Sequence, residues 1–315
     1  MEKSLLVWIV FLSVVLIMLI LDLGLLNKKG TIPSVKKSIW ISFFYIFIGF
    51  SFSFWIWNQM GLIAAKEYLT GFIIEKTLSL DNVFVISVIF TFFNIPSKYQ
   101  HRVLFWGILG VIILRAIMIG IGAVVIKQYQ WIMYIFSVFL IYTGIKMFNS
   151  GAYQPDIKNN LLYKLVSKYF RVTHELHEEK FLVRLPINGE KTALYLTPLM
   201  LSLIMIEFVD LIFAVDSVPA IFAITNDPYI VYTSNIFAIL GLRSLYFALD
   251  AIITKFKYLK HALSIVLIFI GSKIFINDIF NIDKFPPHIS LLVTLTLIIG
   301  GIIYSVVKTK NEELK

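Results

Sequence analysis

The sequence predicts an all-α, polytopic membrane protein with about nine transmembrane helices. Two groups of three helices are predicted to form inverted repeats. Hydrophobic residues make up 59% of the 315 positions, charged residues only 15%, and the mean hydropathy is +0.85. A soluble domain would carry about 25% charged residues. The sequence contains no cysteine, which excludes disulfides and thiolate metal sites within it.

The transmembrane prediction comes from apolar runs long enough to cross a hydrocarbon core of about 30 Å. From the N-terminus, these runs cover 5–26, 38–57, 71–93, 103–126, 131–148, 195–224, 232–253, 261–276 and 287–307. The polar segment between the fifth and sixth runs is predicted to form a short cytoplasmic helix or two. The sequence thus divides into leading helices (1–70), a first repeat (71–148), a polar loop (149–194), a second repeat (195–276) and a last helix with a tail (277–315).

The distribution of basic residues predicts the orientation. The formal net charge is +9, but Lys and Arg collect in the short loops between apolar runs, so no nucleic-acid partner is expected. One set of alternate loops holds nineteen basic residues and the other set holds four. Positive charge marks the cytoplasmic side. The N-terminus is therefore predicted outside and the C-terminus inside, in the inner membrane of a bacterial type of cell.

Two apolar runs contain carboxylates in a shared pattern. The first reads Glu-Lys-Thr-Leu-Ser-Leu-Asp-Asn from Glu75 to Asn82, and the second reads Asp-Leu-Ile-Phe-Ala-Val-Asp-Ser from Asp210 to Ser217. Glu207 precedes the second pattern by three residues. An ionised side chain costs at least about 2.5 kcal/mol at the centre of a membrane helix, so intramembrane acids indicate a functional site.

The two acidic segments begin two related units. The third helices of the units align without a gap, with Tyr-Thr-Gly-Ile-Lys-Met-Phe at 142–148 matching Phe-Ile-Gly-Ser-Lys-Ile-Phe at 269–275. Three helices are an odd number, so the second unit must enter the membrane from the opposite face. Inverted repeats of this kind are common among secondary transporters, whose sites lie near the midplane at the repeat interface.

Helical spacing limits how these acids can meet. Six residues turn a helix by about 600°, so Glu75 and Asp81 would point about 120° apart, as would the acids of the second pattern. Glu207 and Asp210 share a face. Either the helices break near 79–82 and 217–219, with Pro219 marking the second break, or the two repeats contribute complementary halves of one site.

The resulting candidate metal ligands all offer oxygen donors, which suit hard divalent cations such as Mg²⁺, Ca²⁺ and Mn²⁺. They are Glu75, Asp81, Asn82, Glu207, Asp210, Asp216 and Ser217.

A structural alternative is a set of buried ion pairs that fix helix contacts. Arg115 and Arg243 fall within apolar runs and are expected to face the carboxylates, with Asp250 as a further partner for Arg243. Lys146 and Lys273 are expected to reach toward the membrane surface. Asp22 is expected at the interface.

The motif residues resemble the TerC family of integral membrane proteins and its Alx branch. The matching segments are 75–85, 207–220, 235–247 and 271–273, and the similarity covers most of 40–307. The resemblance implies cation handling, with manganese export the leading role. It also implies that all seven candidate ligands are motif residues of the family, since this sequence matches the family's motif at each of these positions. Tellurium resistance and redox modulation are older labels of the family.

These observations predict a secondary transporter that exports a hard divalent cation, Mn²⁺ or alternatively Ca²⁺, in exchange for protons. The alternative is a membrane scaffold for stress response, tellurium resistance or redox modulation whose acids are structural. No nucleophile–base pair stands out, so an enzyme is not expected. The expected partners are the lipid bilayer and the cation as substrate, with no permanently bound cofactor.

Overall fold

The computed structural model describes residues 5–22, 34–121, 131–149, 168, 170–186, 192–222, 224–256, 258–280 and 285–313. Within these ranges the chain is mostly α-helical. The helices are α1 (Leu5–Leu21), α2 (Val35–Phe92), α3 (Ser97–Ile121), α4 (Trp131–Asn149), α5 (Pro198–Phe222), α6 (Pro228–Leu240), α7 (Leu242–Lys255), α8 (Leu259–Ile279) and α9 (Pro287–Glu313). Two short strands, β1 (Leu182–Pro186) and β2 (Thr192–Leu196), lie between α4 and α5.

The long helix α2 contains two of the predicted spans. Its 58 residues would extend about 87 Å, far beyond one bilayer core. Gly61 interrupts it with φ 89° and ψ 173°, a conformation that is essentially restricted to glycine. The Tyr68 hydroxyl donates to the Gly49 carbonyl at 2.9 Å, so the two halves lie side by side as a helical hairpin.

Each of the nine predicted runs overlaps a helix of the described structure. The eighth and ninth runs correspond to α8 and α9, and the seventh corresponds to α6 and α7, which meet at Gly241. The apolar helices include six that are long enough to cross a membrane by length and composition, α6 and α7 being taken together, while α1 and α4 are shorter. The described chain is therefore a multi-pass helical membrane protein, as predicted.

Helices α4 and α8 pack against each other with reciprocal contacts. A Cβ atom on Gly144 would lie 2.8 Å from the Ser264 carbonyl oxygen, and one on Gly271 would lie 2.7 Å from the Ser137 carbonyl oxygen. These four residues occupy matching positions in the gap-free alignment of the two units. Equivalent contacts in both directions are what a two-fold relation between α4 and α8 would produce. The inverted repeat itself stays a prediction.

The polar loop differs from its predicted form. Its described part contains an antiparallel hairpin in which Leu182 pairs with Leu196 and Pro186 pairs with Thr192, so the predicted cytoplasmic helix is wrong over these residues. Both strands have partly alternating burial, the period expected of a β-strand rather than of a helix. The remaining part of that prediction, at 150–167, 169 and 187–191, lies outside the described residues.

The predicted helix breaks beside the acids are also wrong. Helix α5 continues through Ser217 and Pro219 to Phe222, and the interruption in α2 is at Gly61, not at 79–82. Proline deprives a helix of one hydrogen bond, but a complete break would expose several backbone groups to hydrocarbon. The site is therefore assembled from complementary helices, which was the other prediction.

Candidate ion-binding site

Arg115 of α3 is the centre of a buried polar network. Its side chain is 1% exposed, and its guanidinium donates to both oxygens of Asp210 at 3.1 and 3.2 Å and to Glu75 Oε1 at 2.8 Å. It also donates to Ser217 Oγ at 3.1 Å and to Asn235 Oδ1. Asn82 Nδ2 adds a 3.4 Å contact to Asp210. The prediction that Arg115 faces the carboxylates is confirmed.

A spacing of seven residues explains which side chains meet here. Seven residues turn a helix by about 700°, nearly two full turns, so the first and last point in almost the same direction. Glu75 and Asn82 are related in this way on α2, and Asp210 and Ser217 on α5. The matching acid and matching polar residue of the two predicted repeats thus surround one guanidinium.

Asp81 points elsewhere, as its six-residue separation from Glu75 requires. It pairs with Lys273 of α8, whose ammonium also donates to Ser290 Oγ of α9 at 3.0 Å. Ser290 Oγ lies 3.4 Å from Asp81 Oδ2. The prediction that Lys273 reaches toward the membrane surface is wrong, because a buried carboxylate provides it with a closer counter-charge.

Glu207 lies against α3 but outside the Arg115 network. A Cβ atom on Gly110 would overlap its carboxylate, so the glycine provides the space that the carboxylate occupies. Both carboxylate oxygens are buried and have no hydrogen-bond partner among the described residues. Glu207 and Asp210 both face α3, which agrees with their predicted common face. They contact different positions along that helix, Glu207 near Gly110 and Asp210 at Arg115.

A cavity of about 60 Å³ lies between α2, α4, α5 and α8. Glu75, Asp81, Asn82, Ser217 and Lys273 line it, so it adjoins both charged groups. Ser137 of α4 and Asn277 of α8 also line it. A single water needs about 10–15 Å³ of such space, so the cavity can hold a cation together with some water.

Several oxygens at this cavity lack partners. Glu75 Oε2, Ser137 Oγ and Asn277 Oδ1 are buried, line the cavity and accept no hydrogen bond from any described group. Buried polar atoms are normally satisfied by protein, water or an ion. Three unsatisfied oxygens around one cavity therefore indicate a place for a polar or cationic ligand.

The structure thus brings together four of the seven predicted ligands around Arg115, namely Glu75, Asn82, Asp210 and Ser217. It places Asp81 beside the same cavity with Lys273, and it keeps Glu207 apart. The side chain of Asp216 lies outside the described residues. Among the described side chains, no three of the His, Asp and Glu residues converge closely enough to form a metal cluster.

A second buried ion pair corrects the prediction for Arg243. Its guanidinium donates to Asp22 Oδ2 at 2.6 Å and contacts His101. Asp22 is 2% exposed and therefore packed inside the protein, and its position at the membrane interface stays a prediction. Asp250 instead accepts from Ser97 at 3.4 Å and is not the ion-pair partner of Arg243. Arg243 therefore joins α1 to α7, away from the motif acids.

Sequence reasoning missed Asn235, Ser137, Ser290 and Asn277. Each is a polar residue inside or beside an apolar run, and this was the only signal available. Asn235 falls in the segment that matches the family, but its contact with Arg115 joins residues far apart in the sequence. Such contacts depend on tertiary packing and leave no local pattern.

The helical fold and the buried charges define a polytopic α-helical integral membrane protein. The model of the integral membrane protein TerC family matches residues 60–313. The chain belongs to this family, as its motifs predicted.

Its relatives are bacterial membrane proteins of nearly the same length. An "Uncharacterized membrane protein" of Rickettsia felis is 51% identical over 301 residues, covering 96% of this chain and 97% of the relative. A "Putative membrane-bound redox modulator Alx" of Salmonella typhi is 42% identical over 309 residues, covering 94% of each. A Myxococcus xanthus membrane protein is 41% identical over 304 residues, covering 96% of this chain and 93% of the relative. No solved structure is a significant match.

Proposed function

We propose that this protein is a secondary transporter that exports a hard divalent cation, foremost Mn²⁺, across the bacterial inner membrane in exchange for protons. The observation that carries the proposal is the cavity with its unsatisfied oxygens. Glu75 Oε2, Ser137 Oγ and Asn277 Oδ1 border it together with the carboxylate of Asp81. Two carboxylates and neutral oxygens form the donor set that hard divalent cations prefer.

The location of the cavity supports the proposal. Its walls come from α2 and α4 of the first predicted repeat and from α5 and α8 of the second. Transporters with inverted repeats bind substrate at this interface and expose it alternately to the two sides. The reciprocal contacts of Gly144 and Gly271 bring α4 and α8 of the two predicted repeats close together. In the proposed carrier, the two repeats would move relative to each other at this contact when the site changes the side to which it is open.

Export requires an energy source. Moving a divalent cation outward against an inside-negative potential costs about 4.6 kcal/mol per 100 mV, which a downhill ion must offset. Carboxylates can bind either a metal or protons, so the same oxygens can exchange one for the other. The sequence contains no phosphate-binding loop for ATP.

The names of some relatives suggest redox modulation instead. These 315 residues contain no cysteine, so they cannot perform thiol–disulfide exchange. Nothing in the described site favours a redox reaction over cation binding. A redox phenotype would follow indirectly from a changed metal content.

The direct test measures cellular manganese in a Mn²⁺-sensitive host. Cells with the wild type are expected to accumulate less Mn²⁺ than cells with Asp81→Asn or Glu75→Gln, because each substitution removes one anionic donor. Asp278→Asn is the matched control, since Asp278 lies on α8 but is exposed, where its carboxylate accepts from Tyr134 at 2.6 Å. Equal manganese content for normally inserted wild type and site variants would overturn the transporter proposal.

Proteoliposomes test the coupling. With purified protein, an imposed pH gradient is expected to accelerate Mn²⁺ movement into the more acidic compartment, because protons flow out of that compartment in exchange. Excess Ca²⁺ is expected to compete for the same oxygens. Movement that ignores the gradient would remove proton exchange from the proposal and leave only cation transport.

A further inference from the structure

Two protein cations border the candidate site, and their surroundings differ. Arg115 is fixed by five hydrogen bonds to four residues on three helices. Lys273 has two described hydrogen-bond partners, Asp81 and Ser290, and its side chain is 14% exposed where that of Arg115 is 1% exposed. Lysine also has a flexible stem and a compact charge, whereas the planar guanidinium is geometrically constrained.

Their positions relative to the cavity differ as well. Lys273 lines the cavity, whereas Arg115 does not. The ammonium therefore sits on Asp81 at the edge of the space in which a cation would find Glu75 Oε2, Ser137 and Asn277. A divalent ion that binds Asp81 must share this carboxylate with the ammonium or displace it, because two cations on one carboxylate repel each other strongly at low dielectric.

We propose that Lys273 is a built-in counter-cation that occupies Asp81 in the metal-free carrier and is displaced when a divalent cation binds. The proposal rests on the proposed cation transport and assigns Lys273 a further role within it. By competing for Asp81, the lysine weakens metal binding, and by returning to Asp81 it promotes release. Lys273 is thus a determinant of affinity and turnover rather than a metal ligand.

The position of Ser290 adds a consequence. This residue belongs to α9, outside both predicted repeats, and its hydroxyl bonds to the ammonium at 3.0 Å. Displacement of Lys273 from Asp81 also removes or rearranges this link between α8 and α9. Occupancy of the cavity is thereby connected to the packing of the last helix.

The sequence provides a matched control. Lys146 occupies the position in α4 that corresponds to Lys273 in the gap-free alignment, but its side chain is exposed and it does not line the cavity. Lys146→Gln removes the same charge from the equivalent place on the other repeat. Lys273→Arg keeps a positive charge at the cavity, and Lys273→Met removes the charge while retaining an unbranched apolar stem.

The experiment measures Mn²⁺ binding by titration calorimetry and Mn²⁺ efflux from proteoliposomes, both with the full-length purified protein. Lys273→Gln is expected to lower the Kd for Mn²⁺ by about tenfold or more and to slow efflux, because the competing ion pair is gone. Lys273→Met should behave in the same way, which guards against a folding defect specific to glutamine. Lys273→Arg and Lys146→Gln should remain near the wild-type Kd.

The outcomes separate this inference from the proposed function. If the Lys273→Gln and Lys273→Met variants bind Mn²⁺ with the same Kd as the wild type, or more weakly, the counter-cation role is overturned and the proposed transport is unaffected. A lower melting temperature without tighter binding would show a purely structural ion pair and have the same consequence. A wild type that neither binds nor moves Mn²⁺ would overturn both.

Discussion

Replacing Arg115 by glutamine tests whether the central network depends on one buried charge. Glu75 and Asp210 are 1% and 6% exposed, and both lie within 3.2 Å of the guanidinium. Removing one partner of a buried ion pair costs about 3–5 kcal/mol, because the remaining charge stays buried without compensation. Arg115→Gln leaves two such carboxylates, so at least about 3 kcal/mol should be lost from a total stability of about 5–15 kcal/mol.

The assay is thermal unfolding of purified protein in detergent, followed by tryptophan fluorescence. The melting temperature of Arg115→Gln is expected to fall by roughly 5 °C or more. The triple variant that adds Glu75→Gln and Asp210→Asn should recover most of the loss, since it contains no unpaired charge. Arg102→Gln is the matched control, because its partner Glu179 is 46% exposed and such surface pairs contribute about 0–1 kcal/mol.

If Arg115→Gln has the same melting temperature as Arg102→Gln, the two buried carboxylates do not need the guanidinium for stability. If the triple variant is no more stable than Arg115→Gln, the loss arises from packing or hydrogen bonding and not from uncompensated charge.

Three further stability predictions use the same unfolding assay. Gly271→Ala should lower the free energy of unfolding by about 1–3 kcal/mol, because the added Cβ would lie 2.7 Å from a backbone oxygen of α4. Gly300→Ala is the control: its Cβ would meet nothing within 4 Å, so the change should be neutral or stabilising by up to about 1 kcal/mol. Gly61→Ala should cost about 1–3 kcal/mol through its φ of 89° alone, since its Cβ would also meet open space, and an effect equal to that of Gly300→Ala would contradict this. Asp22→Asn should cost about 3–5 kcal/mol by removing the counter-charge of a buried arginine, and a loss no larger than that of Arg102→Gln would contradict the ion-pair assignment.

The membrane class and the helix positions could be predicted because they depend on local properties. A run of apolar side chains must satisfy its backbone within a helix once it enters hydrocarbon, whatever lies beside it. The hairpin of α2 is an example, since the apolar runs 38–57 and 71–93 are joined by the short segment 58–70, which contains Gly61, and both can remain in the bilayer only if the chain reverses there. The strands at Leu182–Pro186 and Thr192–Leu196 were missed because the polar loop is free of this constraint.

The site was predicted only in part for a related reason. The motif acids were visible as charges in apolar runs, and helical spacing showed that Glu75 and Asp81 diverge. It could not show where each one goes. Pro219 suggested a break that the intact α5 does not contain, because the cost of opening a helix in hydrocarbon exceeds the cost of one lost hydrogen bond.

By itself, the sequence determined that this protein is a multi-pass helical membrane protein of the TerC family with acids buried in two apolar runs. Which cation each acid meets depends on how the helices pack: Arg115 pairs with Glu75 and Asp210, and Lys273 pairs with Asp81. The physical reason is that a buried charge is stabilised by a specific partner within a few ångströms, and helix packing alone places that partner there. The same packing leaves the cavity beside Lys273, where the carrier is proposed to hold its cation.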